Sequence, residues 1–395
     1  MTTQETIAHA KAKLLQNYKQ QPVVLVRGEG VHVWDSDGRR YLDLLGGIAT
    51  CGLGHCHPKA VAAAKAQLET LWHTSNVFYT EPQIELAARL TEASGMDRAF
   101  FCNSGAEANE ALIKLARRYQ KDRQQPGRYE IITFLNSFHG RTLATLTATG
   151  QPKYQAGFEP LPAGFVHVPY GDLKAVEGAV SDRTAAILVE PIQGEGGVRV
   201  APAGFLAALR KLCNTHGLLL LVDEVQTGMG RTGSFLAQSL DGVTADAISL
   251  AKALGNGLPI GAMLCMEAVS TSLPVGTHGS TFGGNPVAAA AANAVMEVVS
   301  APEFLKEVAA KGSAFREGAL AIKSRHPQRV VDVRGRGLLM GVELSSEAAP
   351  VVARCREGGM LCNLAGEKVV RFAPPLIATR EELAEGLAVL EKALV

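Results

Sequence analysis

A carboxylate and a lysine, Asp223 and Lys252, each follow a short apolar segment. Residues 218–222 are all aliphatic and stop at Asp223, and residues 247–250 are separated from Lys252 by one alanine. Apolar runs of this length predict buried strands of a parallel sheet. Ligands bind beyond the carboxyl ends of such strands in open α/β sheets, so the two side chains are expected to meet in one site.

The surroundings of Lys252 favour a reactive amine. No other charged residue lies between Asp246 and Glu267. Apolar neighbours lower the pKa of an amine and make it nucleophilic, so that it forms Schiff bases. A carboxylate beside a pyridine nitrogen keeps that nitrogen protonated, and both properties are what pyridoxal 5′-phosphate (PLP) chemistry requires. The simpler alternatives are a strand-end cap for Asp223 and a solvated side chain for Lys252.

The segments around both residues resemble the class III (subgroup II) PLP-dependent aminotransferases. The similarity lies in Leu-Val-Asp-Glu-Val-Gln-Thr-Gly at 221–228, Gly-Arg-Thr-Gly at 230–233 and Ser-Leu-Ala-Lys at 249–252. It implies that Lys252 holds PLP and transfers the proton. It also implies that Asp223 stabilises the protonated ring and that Gln226 hydrogen-bonds the phenolic oxygen.

The segment Asn-Ser-Gly-Ala-Glu at 103–107 opens a predicted helix after a predicted strand. The N–H groups at the start of a helix, with a serine hydroxyl, can bind an anion. A serine with a glutamate three residues later is also a capping box. The resemblance implies that the phosphate is bound by Ser104, Gly105 and Ala106. Further along the chain, it implies that Phe138 stacks on the cofactor ring.

Ser280 and Thr281 lie in a loop before a predicted helix at 286–299. The resemblance implies that both reach the phosphate bound by a partner subunit. A homodimer with shared active sites is therefore expected, because one subunit alone would lack part of the site.

Three charged residues are candidates for substrate binding. The resemblance implies that Arg141 binds the substrate carboxylate remote from the reacting amine, a task that suits a planar guanidinium. It implies that Glu195 masks Arg371 while the amino donor is bound. Arg371 would then bind the α-carboxylate of glutamate when Glu195 releases it.

The resemblance implies a reaction that transfers the δ-amine of N2-acetyl-L-ornithine to 2-oxoglutarate, a step of arginine biosynthesis. It would give N-acetyl-L-glutamate 5-semialdehyde and L-glutamate. Ile48 favours an acylated donor, because ornithine δ-aminotransferases carry a tyrosine at this position. Succinylornithine, N-succinyl-diaminopimelate and other ω-amino donors remain open. A class III aminomutase or racemase, and a module that binds PLP without turnover, are the alternatives from other classes.

Composition narrows the class of protein. The 395 residues exceed the usual limit of about 250–300 for one domain, so two domains are expected. We expect an N-terminal arm with part of a small domain at 1–55, a large PLP-binding domain at 56–300 and the rest of the small domain at 301–395.

Basic residues number 39 and acidic residues 38, which argues against nucleic-acid or membrane partners. The seven scattered cysteines suggest reduced thiols in a cytoplasmic protein.

The order of predicted elements indicates the fold. Predicted strands and helices alternate from residue 81 to residue 250, which is typical of a mainly parallel sheet with helices on both faces. We therefore predict an α/β fold. The resemblance implies fold type I, with a seven-stranded sheet in the large domain and a small α+β domain built from both ends of the chain. Two decoys are rejected. The Cys and His residues at 51–57 lack the spacing of a metal site, and Gly-x-Gly-x-x-Gly at 228–233 begins too far after its strand for a dinucleotide site.

Overall fold

A seven-stranded sheet lies at the centre of the computed structural model, which describes residues 1–395. The strands of the molecule are β1 (Leu25–Glu29), β2 (His32–Asp35), β3 (Arg40–Asp43), β4 (Arg98–Cys102), β5 (Glu130–Phe134), β6 (Phe165–Val168), β7 (Thr184–Val189), β8 (Ile192–Gln193), β9 (Arg199–Val200), β10 (Leu219–Asp223), β11 (Ala247–Leu250), β12 (Gly261–Cys265), β13 (Val330–Arg336), β14 (Leu339–Leu344), β15 (Met360–Leu361), β16 (Asn363–Ala365) and β17 (Val369–Phe372).

Helices surround the sheets. They are α1 (Thr3–Lys13), α2 (Gly46–Ala49), α3 (Pro58–Leu68), α4 (Glu81–Ser94), α5 (Gly105–Asp122), α6 (Leu143–Ala148), α7 (Pro152–Gln155), α8 (Leu173–Ala179), α9 (Phe205–His216), α10 (Glu267–Ser270), α11 (Pro286–Val299), α12 (Pro302–Arg325), α13 (Ala349–Glu357) and α14 (Arg380–Leu394), with 3₁₀ turns at Ala237–Asp241 and Lys252–Leu254.

The strand order of the central sheet is β4-β12-β11-β10-β7-β5-β6. All neighbours in the run from β11 to β6 are parallel, whereas β12 is antiparallel to both of its neighbours. The predicted seven-stranded, mainly parallel sheet is therefore confirmed. Because β4 runs in the same direction as β11, the segments that follow β4, β5, β7, β10 and β11 all emerge at one edge.

The central strands that end at this edge have continuous apolar sequences because both of their faces are covered. Every residue of β7, β10 and β11 is buried, which explains their continuous apolar sequences rather than an alternation of polar and apolar residues. The predicted strand at 247–250 matches the structure at both ends. The N-terminal helix α1 ends at Lys13, because the backbone becomes extended at Leu14.

A second apolar core joins the two ends of the chain. Val31, Leu42 and Leu44 pack with apolar side chains between Val308 and Leu394. The short strand β15 also pairs with β3 in parallel. No helix of the molecule combines the length and the apolar character needed to cross a membrane.

The Cys and His residues at 51–57 form a turn before α3, which begins at Pro58. His55 Nε2 lies 2.7 Å from Asp43 Oδ2, and the other oxygen of Asp43 accepts hydrogen bonds from the N–H groups of Leu45 and Gly46. This carboxylate therefore ties the turn to the start of α2, where Ile48 has a φ of +63°.

Candidate active site

A cavity of about 380 Å³ opens at the edge of the sheet where the parallel strands end. Its lining includes the four segments that follow β4, β5, β10 and β11, and the strand-end residue Glu190 after β7. The structure brings together most of the predicted residues in this lining: Ser104, Gly105, Ala106, Phe138, Arg141, Asp223, Gln226 and Lys252.

Lys252 lies on the turn directly after β11 and faces the cavity. Its φ of +47° is in the left-handed region, which is costly for a residue with a side chain and is a conformation found at functional sites. Burial lowers the pKa of Lys252 to about 8, although the nearby charge of Glu195 acts in the opposite direction. The structure thus supports the predicted desolvated amine.

Asp223 is buried at the end of β10 and is held in place by three donors. Oδ2 accepts hydrogen bonds from Asn109 Nδ2 at 2.7 Å and lies 2.8 Å from His139 Nδ1, while Oδ1 accepts one from the Val225 N–H at 3.0 Å. Asn109 Nδ2 also donates to the carbonyl of His139 at 2.8 Å. This network fixes the carboxylate in one orientation before any ligand arrives.

Glu224, the next residue, points away from this network. Its carboxylate accepts hydrogen bonds from Thr227 Oγ1 and from the N–H of Gln238. Asp223 and Glu224 do not form a catalytic pair, as the alternation of strand side chains suggests.

The N-terminus of α5 forms one wall of the cavity. Ser104 is its N-cap, and its Oγ accepts a hydrogen bond from the Glu107 N–H at 3.2 Å and donates one to Glu107 Oε2 at 2.9 Å. Ser104 therefore caps the helix, but the reciprocal bond of a full capping box is missing, because Glu107 Oε2 accepts from the Asn103 N–H at 3.0 Å and not from the Ser104 N–H. The first N–H groups of a helix have no partner within it, so those of Gly105 and Ala106 remain available to an anion. A Cβ on Gly105 would lie 2.8 Å from Val225 Cγ1, so only glycine allows this close approach.

Arg371 and Glu195 form the predicted pair beside Gln226. Arg371 Nη1 donates to Glu195 Oε1 at 2.6 Å, to the carbonyl of Gly194 at 3.1 Å and to Gln226 Oε1 at 3.2 Å. Arg371 Nε donates to Asn363 Oδ1 at 3.1 Å. Arg371 is only 1% exposed, and its Nη2 has no partner.

The Glu195–Arg371 pair consists of an anion and a cation. Burial alone would raise the pKa of Glu195, but the positive charges of Arg371 and Lys252 hold it below its usual value. Glu195 is therefore an anion at neutral pH. The guanidinium of Arg371 is neutralised in the resting structure and keeps one unused donor group.

Arg141 lies at the mouth of the cavity and is exposed. Its guanidinium carbon lies 4.0 Å from the ring centroid of Tyr154 and 5.7 Å from that of Phe138. No carboxylate pairs with this guanidinium. The neighbours of this guanidinium are thus aromatic rings and not an acidic side chain.

Four predicted residues do not line the cavity: Glu195 and Arg371, which contact Gln226 on its wall, and Ser280 and Thr281. Ser280 Oγ accepts hydrogen bonds from the Gly283 N–H at 3.0 Å and from Asn103 Nδ2 at 3.2 Å. Thr281 is exposed on the same loop. Their assignment to a partner subunit's phosphate stays a prediction.

Four residues of the site received no role from the sequence: Asn109, His139, Glu190 and Tyr154. Glu190 is buried at the end of β7, and its Oε2 accepts a hydrogen bond from the Phe138 N–H at 3.0 Å. Burial, and then the charge of Asp223, raises the pKa of Glu190 well above its usual value. The only sequence signal for His139 and Glu190 is that each follows a strand of the central sheet.

Comparisons with known proteins agree with this geometry. The aminotransferase class-III family matches residues 14–394. An acetylornithine aminotransferase of Myxococcus xanthus is 66% identical over 97% of this chain and 96% of its own length. The solved structure of an N-acetylornithine aminotransferase from Stenotrophomonas maltophilia has a TM-score of 0.84 at 41% identity, and the match covers 98% of both chains.

A third relative bears on the cofactor. The structure of an ornithine aminotransferase from Toxoplasma gondii has a TM-score of 0.95 at 36% identity, covering 100% of this chain and 94% of that one. It was described with partial occupancy of PLP at the active site.

The fold and the site define an α/β enzyme of the aminotransferase type. The chain belongs to the class III aminotransferase family and is an aminotransferase. The resemblance seen in the segments around Asp223 and Lys252, and the fold expected from it, are confirmed. The roles of individual residues stay predictions.

Proposed function

We propose that this chain is a PLP-dependent aminotransferase that moves the δ-amine of N2-acetyl-L-ornithine to 2-oxoglutarate. The observation that carries the proposal is the Glu195–Arg371 pair, at 2.6 Å, beside a cavity that contains Lys252. A masked arginine lets one site accept two substrates of different shape. The high identity to acetylornithine aminotransferases supports this donor.

The residues of the cavity fit PLP. A buried carboxylate, a desolvated lysine and the free N–H groups of a helix N-terminus lie around one space, and they match a ring nitrogen, an aldehyde and a phosphate. Gly105 leaves the close approach to Val225 that a side chain would block. When bound, PLP supplies an aldehyde that takes up the amine and a ring that withdraws electrons from the neighbouring carbon.

The chain's own residues then have separate tasks. Lys252 Nζ would hold the cofactor and, once free, would act as the base that takes the proton from the carbon bearing the donor's amine and as the acid that gives it back. Asp223, oriented by Asn109 and His139, would stabilise a protonated ring nitrogen. The N–H groups of Gly105 and Ala106, with Ser104, would bind the phosphate. Phe138 would pack on the ring, and Gln226 would hydrogen-bond its phenolic oxygen.

Two arginines bind the carboxylates. Arg141 binds the one remote from the reacting amine. With acetylornithine bound, Glu195 stays on Arg371 and no unpaired charge faces the donor's δ-carbon. With glutamate bound, Glu195 moves away and Arg371 binds the α-carboxylate. Ile48 does not itself line the cavity, but it lies two residues before Thr50, which does, and we assign it to the acylated side of the donor.

A half-reaction tests the proposal. The PLP-loaded protein is mixed with N2-acetyl-L-ornithine in the absence of 2-oxoglutarate, and the visible absorbance of the cofactor is followed. Parallel samples contain L-ornithine, N-succinyl-L-ornithine, N-succinyl-diaminopimelate and 4-aminobutyrate. We expect fast loss of absorbance with acetylornithine and much slower loss with ornithine.

Other outcomes point elsewhere. Faster loss with a succinylated donor would keep the aminotransferase and replace the substrate. Continued turnover of an amino acid in these mixtures, which contain no 2-oxoglutarate, would indicate an aminomutase or a racemase. An absorbance that persists with every donor would contradict the proposed reaction.

The chain is also proposed to form a homodimer with shared active sites. The segment from Trp72 to Tyr79 exposes large apolar side chains, with Tyr79 93% exposed. Asn76 Nδ2 ties this segment to the loop of Ser280 and Thr281, since it donates to the carbonyls of Ser280 and Gly283. One apolar surface thus contains the loop assigned to the partner's phosphate, which is expected for an interface.

Complementation tests the shared sites. Lys252→Ala and Thr281→Asp proteins are each expected to be inactive. After subunit exchange, one site of each mixed dimer has both wild-type residues, so activity should return. Activity that stays absent in mixtures shown by mass to contain mixed dimers would contradict shared sites. The division at residues 55 and 300 and the cytoplasmic location stay predictions.

A further inference from the structure

The aromatic contact of Arg141 suggests a role for a residue that does not line the cavity. Tyr154 is half-buried on α7, and its ring centroid lies 4.0 Å from the guanidinium carbon of Arg141. Phe138 completes the arrangement, with its ring at 6.1 Å from the ring of Tyr154 and nearly perpendicular to it. The guanidinium therefore has an aromatic surface beside it at the mouth of the cavity.

Aromatic stacking and a salt bridge prepare an arginine differently. A carboxylate partner uses the N–H donors of the guanidinium, whereas stacking uses its face and leaves those donors in its plane free. Arg141 has no acidic partner, so its donors remain available for a carboxylate of the substrate. The stacking restricts the orientation of the long side chain without competing for that carboxylate.

The position of Tyr154 is itself fixed by two glutamines. Gln155 Nε2 donates to the carbonyls of Leu146, Thr147 and Thr149 at 2.8–3.2 Å. Gln151 Nε2 donates to the carbonyl of Ser137 at 3.0 Å. These hydrogen bonds attach the short helix with Tyr154 to the backbone next to Phe138. They thus hold the Tyr154 ring beside the guanidinium of Arg141.

We propose that Tyr154 is a positioning residue that holds the guanidinium of Arg141 in the orientation that binds the substrate's remote carboxylate. This inference rests on the proposed function, since that function assigns the carboxylate to Arg141. It adds a specificity determinant outside the cavity lining. Tyr154 acts through its ring face and not through its hydroxyl.

Three variants of the PLP-loaded enzyme test this role. Tyr154→Leu removes the ring, and Tyr154→Phe keeps it. Tyr119→Leu is the matched control, because the Tyr119 ring lies 5.3 Å from the guanidinium of Arg123 at the far end of α5. Each variant reacts with N2-acetyl-L-ornithine and with n-butylamine, which has no carboxylate. Melting temperatures check that all variants fold.

We expect Tyr154→Leu to raise the KM for acetylornithine about 3- to 10-fold, with kcat changed less than about twofold. Its reaction with n-butylamine should match that of the wild type. Tyr154→Phe and Tyr119→Leu should keep the wild-type KM. An equal loss with both amines in Tyr154→Leu would overturn the proposal, since the ring would then only support the cavity. A loss in Tyr154→Phe would also overturn it, because the hydroxyl would then be the active group.

A binding measurement separates this inference from the proposed function. Glutarate carries two carboxylates and no amine, and its dissociation constant is measured by calorimetry. Weaker binding of glutarate by Tyr154→Leu, but not by Tyr154→Phe, would support the role of Tyr154 even if acetylornithine proved not to be a substrate. Unchanged glutarate binding in Tyr154→Leu would overturn it.

Discussion

The two arginines of the site are prepared in opposite ways. Arg371 is buried beside Gln226 and is neutralised by Glu195 at 2.6 Å, whereas Arg141 is exposed at the mouth and stacks on Tyr154. A buried guanidinium without an anion would be costly, so Arg371 needs a partner that can leave. Arg141 is solvated and needs none. Glu195 can therefore mask Arg371, whereas the donors of Arg141 are free to bind a carboxylate.

This difference suits a reaction with two amino compounds. A remote carboxylate is common to the expected donor and to glutamate, and in the proposed function Arg141 binds it in both. The α-carboxylate next to the reacting carbon belongs to glutamate alone, and the proposal assigns it to Arg371. The following experiments test the contrast, starting with the residue on which both substrates depend.

Replacement of Lys252 should have the largest effect. Lys252→Ala removes the anchor and the proton acceptor for both half-reactions, and we expect a loss of about 10⁴-fold, at the upper end of what acid–base catalysis contributes. Single-turnover absorbance measurements with acetylornithine and with glutamate give both rates. Lys65→Ala, on the exposed face of α3, is the control and should stay active. A Lys252→Ala protein with normal turnover would falsify the assignment.

Replacement of Arg371 should separate the substrates. Arg371→Ala removes charged hydrogen bonds to the α-carboxylate of glutamate, so the glutamate half-reaction should fall about 10- to 150-fold. The acetylornithine half-reaction should fall much less. Glu195→Gln is the companion variant, and its weaker hold on Arg371 should shift the preference towards glutamate. Equal losses in both half-reactions of Arg371→Ala would contradict the masking model.

The pH dependence of cofactor uptake tests the environment of Lys252. Burial lowers the pKa of its amine to about 8, so the neutral, nucleophilic form appears at lower pH than for an exposed lysine. The rate of PLP attachment to the apoprotein should rise about tenfold per pH unit below pH 8 and level off above it. Stopped-flow absorbance gives this rate. A rate that continues to rise steeply from pH 8.5 to 10 would show an ordinary lysine.

Glu190 should give the smallest effect. Burial, and then the charge of Asp223, raises the pKa of Glu190 and disfavours a negative charge there, so Glu190→Gln keeps the shape of the side chain and the uncharged form that its surroundings favour. We expect kcat/KM within about twofold of the wild type, because the acceptor for the Phe138 N–H is kept. Glu190→Leu removes that acceptor and should destabilise the protein by about 1–3 kcal/mol, measured by denaturant unfolding. A tenfold loss in Glu190→Gln would instead indicate a required negative charge.

The sequence predicted the parts of the site that lie next to a strand end. Asp223 and Lys252 can be predicted because they follow the continuous apolar sequences of buried parallel strands, whose carboxyl ends share an edge. The segment at 103–107 can be predicted as a helix start, because its serine and glutamate have the spacing of an N-cap. The resemblance to a known family added the pairing of Glu195 with Arg371, which the structure places at hydrogen-bond distance. The sequence thus predicts site residues either from local patterns or from motifs that the family shares.

The tertiary structure alone decided the contacts between distant segments. The orientation of Asp223 depends on Asn109 and His139, and that of Arg141 depends on Tyr154. The sequence spacing of these residues does not indicate that they are in contact. Each contact forms only when a helix and the loops after different strands pack together. The sequence therefore determined which groups could do the chemistry. Packing determined which neighbours hold those groups, since the direction of a side chain and its desolvation depend on everything that surrounds it.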